Sequence, residues 1–410
     1  MSFSSSAPLD RAACLALDLA DPLAGLRDLF VLNAGEIYLN GNSLGALPRA
    51  TSARVAHLIE AEWGRSQTGG WAAWDWAGAA ARVGDKIARL VGAAPDEVIA
   101  ADSTSLNLYK VVWAALGIAR ARPGAAGRTR ILSERGNFPS DLYIAAELAR
   151  QHGLEFIQAD SAGIIDALDE RVAVAVLSHV DYRSGRMHDL AAVTAAAHRA
   201  GVLVVWDLAH SAGAVPIHLN AAGADFAVGC GYKYFNGGPG APAFAWSHAR
   251  HADTVRQPLT GWMSHAQPYA YAEHYESAPG AARYLCGASP LLSLIALECG
   301  VETLLAAEPL GGMAALRHKS EALMRIFLGR VATADESGRL TLLTPADPAA
   351  RGAHAALRCA GDAPGLVAAL KAHGVVCDLR APDVLRFALP ALYTRHIDAY
   401  DAASLLCRLL

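Results

Sequence analysis

The chain lacks the features that would tie it to a nucleic acid, a bilayer or an oxidising compartment. Its 35 Lys and Arg stand against 39 Asp and Glu, a formal net charge of −4, with no long basic run and no interleaving of aromatic and basic residues. Nothing electrostatic therefore draws it to a polyanion or an anionic membrane. No apolar stretch approaches the roughly 20 residues that a bilayer crossing takes. The opening Met1-Ser2-Phe3-Ser4-Ser5-Ser6 has no basic stretch leading into an apolar one, and Asp10 and Asp18 come early, so no secretory leader is read there. The seven cysteines (Cys14, Cys230, Cys286, Cys299, Cys359, Cys377 and Cys407) are odd in number, scattered and nowhere in a C-x-x-C pair. That argues against a disulfide framework or a zinc knuckle, and for reduced thiols in a cytoplasmic protein. Internal repeats, low-complexity tracts and a G-x-G-x-x-G after the first strand, the mark of a nucleotide-binding dehydrogenase, are also missing. A soluble protein acting on a small molecule, with no metal, no nucleic acid and no membrane partner, is the expectation.

What is present is an ordinary globular composition, 53% hydrophobic and 18% charged over 410 residues, enough for a large core and more than one lobe. Short apolar runs alternate with helix-patterned ones. Strands are expected at 98–101, 130–133, 172–177, 202–206, 226–230 and 243–246, several apolar throughout, as strands covered on both faces are. Helices are expected between them, at 141–152 and 190–200. The alternation predicts a mainly parallel sheet with helices on both sides, and one antiparallel pairing where 226–230 and 243–246 are joined by a short turn region. After about residue 290 the texture changes to two long helices, 291–307 and 316–331, and strands at 340–343, 354–357 and 384–387. The expected division is an N-terminal segment over 1–50 that packs with a small domain, a large domain over 51–305 and a small α+β domain over 306–410.

The most informative stretch is Trp206-Asp207-Leu208-Ala209-His210-Ser211-Ala212-Gly213, followed by Lys233 inside Gly231-Tyr232-Lys233-Tyr234-Phe235 and then Asn236-Gly237-Gly238-Pro239-Gly240. Asp, His and Lys at the ends of neighbouring buried strands suit pyridoxal 5'-phosphate. The lysine would form the Schiff base, and the carboxylate would keep the pyridine nitrogen protonated. Taken singly, Asp207 reads as a helix cap and Lys233 as a snorkelling loop lysine; together with His210 they read as a cofactor site. Asp102-Ser103-Thr104-Ser105 follows a strand and opens a helix, where hydroxyls and backbone N–H groups can hold a phosphate, although plain N-capping has the same signature. Asn137-Phe138-Pro139-Ser140-Asp141 offers an aromatic face and a second acid, and it too would pass for a capping turn. Arg386, alone on an apolar strand, needs a carboxylate: that of an amino-acid substrate, or that of a structural ion pair. Trp63, Trp71, Trp74 and Trp76 read mostly as core or interface packing.

With these residues in hand, the chain resembles kynureninases nearly end to end. The likeness includes Tyr38-Leu39-Asn40-Gly41-Asn42-Ser43-Leu44-Gly45, the segment from Asn137 to Asp141, Trp206 to Pro216, Gly231 to Gly240, Gly261-Trp262 and Arg283-Tyr284-Leu285-Cys286-Gly287. The resemblance implies a pyridoxal phosphate enzyme of fold type I, with a mainly parallel seven-stranded sheet in the large domain. It also implies hydrolysis of L-kynurenine, with 3-hydroxykynurenine as a further substrate, to anthranilate or 3-hydroxyanthranilate and L-alanine in tryptophan catabolism. The enzyme would be a homodimer with its active sites at the interface. Carried over by position, Lys233 is the Schiff-base lysine and proton shuttle, and Tyr232 shares the proton transfers. Asp207, with Asp141 nearby, serves the pyridinium side, and Phe138, within Phe138-Pro139-Ser140-Asp141, stacks on the ring. Thr104, Ser105 and Tyr232 hold the phosphate, Trp262 reaches in from the partner subunit and His210 lies near the cofactor. Arg386 takes the substrate carboxylate, Trp71 matches an aromatic position by the substrate ring, and Asn42 and Ser43 complete the substrate set. Ala288 stands where bacterial relatives carry Thr, removing one hydroxyl from the phosphate site, and Met263-Ser264-His265 replaces Phe-Gly-His. Two other readings stay open at this point. One is a different reaction on the same fold, a cysteine desulfurase or lyase or an aminotransferase, for which Cys286 is the candidate nucleophile. The other is a non-catalytic binding protein of this fold.

Overall fold

The computed structural model describes residues 9–410, so the Met1 to Ser6 stretch lies outside the described residues. The N-terminal segment opens with α1 (Arg11–Leu19), whose first turn is capped by the Asp10 side chain accepting from Ala13 N at 2.7 Å. Two short pairings follow: Phe30–Val31 runs antiparallel to Leu47–Pro48 within the segment, and Ile37–Tyr38 runs parallel to Val375–Val376 in the C-terminal part. Helix α2 (Arg49–His57) leads into the body of the chain.

The main sheet has seven strands: β1 (Val98–Ala101), β2 (Arg130–Glu134), β3 (Glu155–Ala159), β4 (Val172–Ser178), β5 (Leu203–Asp207), β6 (Phe226–Gly229) and β7 (Ala243–Ser247). Their spatial order is β1-β7-β6-β5-β4-β2-β3. All pairings are parallel except those of β7, which runs antiparallel both to β6 and to β1. One antiparallel pairing was expected; β7 makes two because it lies inside the sheet rather than on its rim. Strand β3 was not foreseen. It is the sheet's edge, and its mix of exposed and half-buried residues, with Glu155 and Gln158, carries no continuous apolar run. The central strands, β4 above all, are buried at every position. Helices α3 (Ala79–Val91), α4 (Thr104–Ala121), α5 (Pro139–His152) and α6 (Leu190–Arg199) cover the sheet, with α4 lying across β4 to β7, and α7 (Leu291–Leu305) packs on α2 and α3. Where α3 crosses β1 the backbones nearly touch: a Cβ on Gly84 would stand 2.1 Å from Val98 O, so only glycine fits.

A second core lies around α8 (Gly312–Ala334) and a four-stranded antiparallel sheet of β8 (Leu340–Leu342), β9 (His354–Cys359), β10 (Asp378–Arg380) and β11 (Val384–Ala388), in the order β8-β9-β11-β10. Cys14 of α1 and Leu39 from the N-terminal segment are buried in it, as are residues of α9 (Ala363–Ala372) and α10 (His396–Leu409). These last two helices and β10 were not read from the sequence. Arg386 on β11 lies opposite Asp378 on β10 and Ala356 on β9, and His354 on β9 lies opposite Ala388. Directly opposed residues of antiparallel strands share a face, so Asp378, Arg386 and His354 all project from one side of this small sheet.

Candidate active site

The parallel strands deliver their chemistry at their C-terminal ends. Asp207 is the last residue of β5 and pairs in register with Ser178, the last of β4. Beyond β5 the chain turns at once: Asp207 Oδ1 accepts from Ala209 N at 2.8 Å, and the turn places His210 beside the loop that leaves β6. That loop carries Lys233, whose Nζ lies 2.9 Å from His210 Nε2, both side chains being buried. The loop is tied by Asn236 N donating to Lys233 O at 2.9 Å and by Gly237 N donating to Gly231 O at 3.0 Å, with Asn236 in the left-handed region at φ 55°.

The Gly41 to Gly45 string has its reason here. Gly45 N donates to Tyr232 O at 2.8 Å, and a Cβ on Gly45 would lie 2.4 Å from Lys233 O. The N-terminal segment is thus laid directly on the lysine loop.

Two carboxyl groups meet close to Lys233. Asp141, in the first turn of α5, is buried with Oδ2 lacking a hydrogen-bond partner among the described residues. Burial raises its carboxyl well above the ordinary range, and the neighbouring Asp207 raises it further. Asp207 is raised by burial too, while the Lys233 charge pulls it back. Two such acids resist ionising together, and a cation placed between them and Lys233's pocket would relieve both. His210 is driven the other way, well below the imidazole range, by burial and then by the charge of Lys233, so it is neutral at physiological pH. Burial pushes the Tyr232 phenol up to about 12.

Thr104 and Ser105 are half-buried at the first turn of α4, behind the Ser103 cap, which accepts from Leu106 N at 3.3 Å. The turn ahead of them is held by Asp102, at φ 49°, whose carboxylate pairs at 2.5 Å with the fully buried Lys110 nearly two turns into the helix. Phe138 precedes Pro139, the first residue of α5, and its ring is 40% exposed with one edge against Tyr182 at 5.2 Å. Ser140 is half-buried beside it. The group that the sequence implies fits this constellation. A buried lysine, a pair of acids with an unused buried oxygen, an open aromatic face and a helix N-terminus with two hydroxyls are the donor set for pyridoxal phosphate.

Other expected residues stand apart from Lys233. Trp71 and Ala288 come together in a cavity of about 430 Å³ lined also by Leu58, Trp63, Trp76 and Pro290. The tryptophans are not core: Trp63, Trp71 and Trp74 are all exposed, and Trp71 meets Trp76 edge to face. Trp262 is 38% exposed and packs on Tyr269. Arg386 is fully buried and already paired: Nε donates to Asp378 Oδ1 at 2.8 Å, Nη2 reaches Asp378 Oδ2 and Ser43 Oγ, and Nη1 donates to Tyr182 O. Burial works to raise the Asp378 carboxyl, but Arg386, Ser43 and Arg380 together outweigh it and hold the group low. The ion-pair alternative for Arg386 is therefore present in the fold, and Ser43 shares it. Asn42 is fully buried, with neither end of its amide partnered among the described residues.

Sequence reasoning passed over Asp378, Tyr182 and His354. The signal for His354 resembled that for Arg386: a polar residue against an apolar run, His354 at the head of its strand and Arg386 in the middle of its own. All seven cysteines are free, and Cys286 Sγ contacts Leu259 O at 2.9 Å.

Comparison with known proteins agrees with this geometry. Among solved structures, cysteine desulfurases from Thermococcus onnurineus NA1 and Escherichia coli superpose with a TM-score of 0.77 each at 16% and 18% identity, over 94% of this chain and 97% and 98% of theirs. At that identity they speak for the fold alone. Residues 37–357 match the family described as Aminotransferase class-V, and residues 316–406 match the Kynureninase C-terminal domain. A kynureninase from Burkholderia mallei is 46% identical over 97% of this chain and 94% of its own, and one from Pseudomonas fluorescens is 44% identical over 98% and 95%. Matches of that identity, end to end, on a buried lysine site of this kind decide the matter: the chain belongs to the kynureninase family, pyridoxal phosphate enzymes of fold type I.

Proposed function

We propose that the chain hydrolyses the Cβ–Cγ bond of L-kynurenine to give anthranilate and L-alanine, as a homodimer in the cytoplasm. The observation that carries this reading is the end-to-end likeness to kynureninases, coupled to the contact between Lys233 and His210 beside the Asp141–Asp207 pair. The large domain is taken as 51–305, the small one as 306–410, and 1–50 as an N-terminal segment whose described residues pack into both cores.

Lys233 is the amine that anchors the cofactor, and freed from it, the base that moves protons at the substrate α-carbon. Asp207, backed by Asp141, would hold the positive ring nitrogen. Phe138 would cover one face of the ring, with Pro139 and Ser140 shaping the turn that presents it. Thr104, Ser105 and Tyr232 would hold the phosphate, and Ala288 would contribute no hydroxyl there. When bound, pyridoxal phosphate supplies the electron sink that makes the α-hydrogen acidic. With its phenol pushed up to about 12, Tyr232 is a proton donor rather than a base at neutral pH. Arg386, held by Asp378 and Ser43, presents its remaining N–H to the substrate carboxylate, and Asn42 supplies unpaired amide groups to the same substrate. Trp71 borders the aryl group, with Trp262 of the partner subunit closing the site.

The desulfurase reading rests on fold likeness at under 20% identity, and no specific feature of the site favours it. The test is direct. Purified protein that visibly carries the cofactor is given L-kynurenine and its 3-hydroxy derivative side by side, and fluorescent product is followed. Anthranilate formation is expected; no product from loaded protein would sink the reading. The ratio of the two rates sets the substrate preference.

A further inference from the structure

His354 is among the least exposed polar residues of the chain, at 0%, and neither of its ring nitrogens has a hydrogen-bond partner among the described residues. An imidazole left so forfeits the hydrogen bonds that water gave it in the unfolded chain, so each nitrogen calls for a partner. Its ring centroid lies 5.7 Å from that of His210, whose Nδ1 is likewise buried and unpartnered, while His210 Nε2 is engaged with Lys233 at 2.9 Å. No hydrogen bond joins the two rings directly, and the spacing suits one water between them.

The place of His354 in the fold gives the pair its meaning. It projects from the face of the small sheet that also carries Arg386 and Asp378. Gly185 lies against the ring: a Cβ there would stand 3.2 Å from His354 Nε2, so the loop after β4 closes over it. The charged and titratable groups around it are Arg386, Asp378 and Arg380 from the small sheet and Lys233 and His210 from the large domain. Burial, and then Arg386, keep the ring neutral, with its titration pushed down to about 3. A neutral imidazole has one donor and one acceptor, which is what a bridge to the neutral His210 requires.

We propose that His354 is a positioning residue which, through one buried water at His210 Nδ1, holds His210 Nε2 on Lys233 and so links the arginine-bearing face of the small domain to the reactive lysine. The proposal rests on Lys233 being the cofactor's anchor. Nε2 of neutral His210 accepts a hydrogen bond from the N–H at Lys233, so its contact favours the protonated form of the Lys233 linkage; setting His210 loose favours the deprotonated form.

The experiment is a pH titration of the visible absorbance of cofactor-loaded protein, with borohydride labelling of Lys233 as the control. In His354→Leu the absorbance midpoint should fall by about one pH unit, equivalent to the loss of one buried hydrogen bond. His354→Gln keeps a donor and an acceptor and should restore the wild-type midpoint. An unchanged or raised midpoint in a loaded His354→Leu protein overturns the proposal. If borohydride labels a lysine other than Lys233, it is the site assignment that fails. Should His354→Leu not fold or load, ¹⁵N-histidine NMR of the wild-type holoenzyme decides. His354 locked in one tautomer with a slowly exchanging N–H supports the bridge, and tautomers averaged by fast exchange overturn it.

Discussion

Lys233 and Arg386 are both buried cations, and the structure treats them oppositely. Arg386 has a full carboxylate partner on the neighbouring strand, so its charge is matched before any substrate arrives. Lys233 has a neutral histidine at 2.9 Å and two reluctant acids nearby, an arrangement that suits exchange of its partner. The two therefore predict different losses. Lys233→Ala should remove the borohydride-stable adduct from the 231–240 peptide with little effect on stability, as read by mass spectrometry and denaturant midpoint; an adduct retained on another lysine would contradict the assignment. Asp378→Asn leaves the Arg386 charge buried without its counter-charge, which costs roughly 3–5 kcal/mol. Denaturant unfolding of the unloaded protein should show that drop, and a loss under 1 kcal/mol would mean that the pair carries little. Lys233 was legible in the sequence because its glycine-flanked apolar context is unusual. The partner of Arg386 was not, since Asp378 is its neighbour only through the register of β10 on β11.

At the scale of elements, strands apolar throughout were read to within a residue or two, because burial on both faces imposes that composition. Edge strand β3 and the short β10 were missed for the converse reason. Their half-solvated faces leave a composition indistinguishable from loop. The docking of the Gly41 to Gly45 turn on the lysine loop belongs to this scale as well. Gly45→Ala puts a methyl 2.4 Å from Lys233 O, so the turn or the lysine loop must shift. The expected cost is about 1–3 kcal/mol of stability with weaker retention of pyridoxal phosphate on dialysis. Full retention together with an unchanged melting temperature would show that the contact is dispensable.

Across the whole molecule, three neutral histidines sit where the two cores meet the sheet ends: His179, His210 and His354. Burial pushes His179 down to about 4 and His354 to about 3, and it lowers His210 as well. The unfolded chain takes up these protons near the ordinary imidazole value of about 6.5, the folded chain only much lower. Stability from these groups is thus fully present above about 6.5 and is lost progressively as pH falls from there toward about 3. Melting of the unloaded protein should be flat between pH 7 and 8 and fall steadily below 6.5; a melting temperature constant down to pH 4.5 would contradict their buried, neutral state. The exposed tryptophans Trp63, Trp71, Trp74 and Trp262 are a further feature of the assembled chain. If they face a second subunit, as the proposed homodimer requires, Trp63→Glu should shift sedimentation toward the monomer, and an unmoved dimer would place the interface elsewhere.

Local chemistry that cannot be hidden was determined by the sequence alone: a parallel sheet from its two-sided apolar strands, a cofactor from Asp207, His210 and Lys233, and the family from strings such as Gly41 to Gly45. Gly45 of that string admits no side chain because the Lys233 backbone lies against it, and Gly41 none because the Tyr393 and Pro390 side chains do. The tertiary structure decided which charges are already matched and which polar atoms are left wanting. It paired Arg386 with Asp378, left Asp141 Oδ2 unused beside Asp207, and set His354 across from His210. Those relations depend on strand register and on the approach of two separate cores, and neither is carried by any window of residues along the chain.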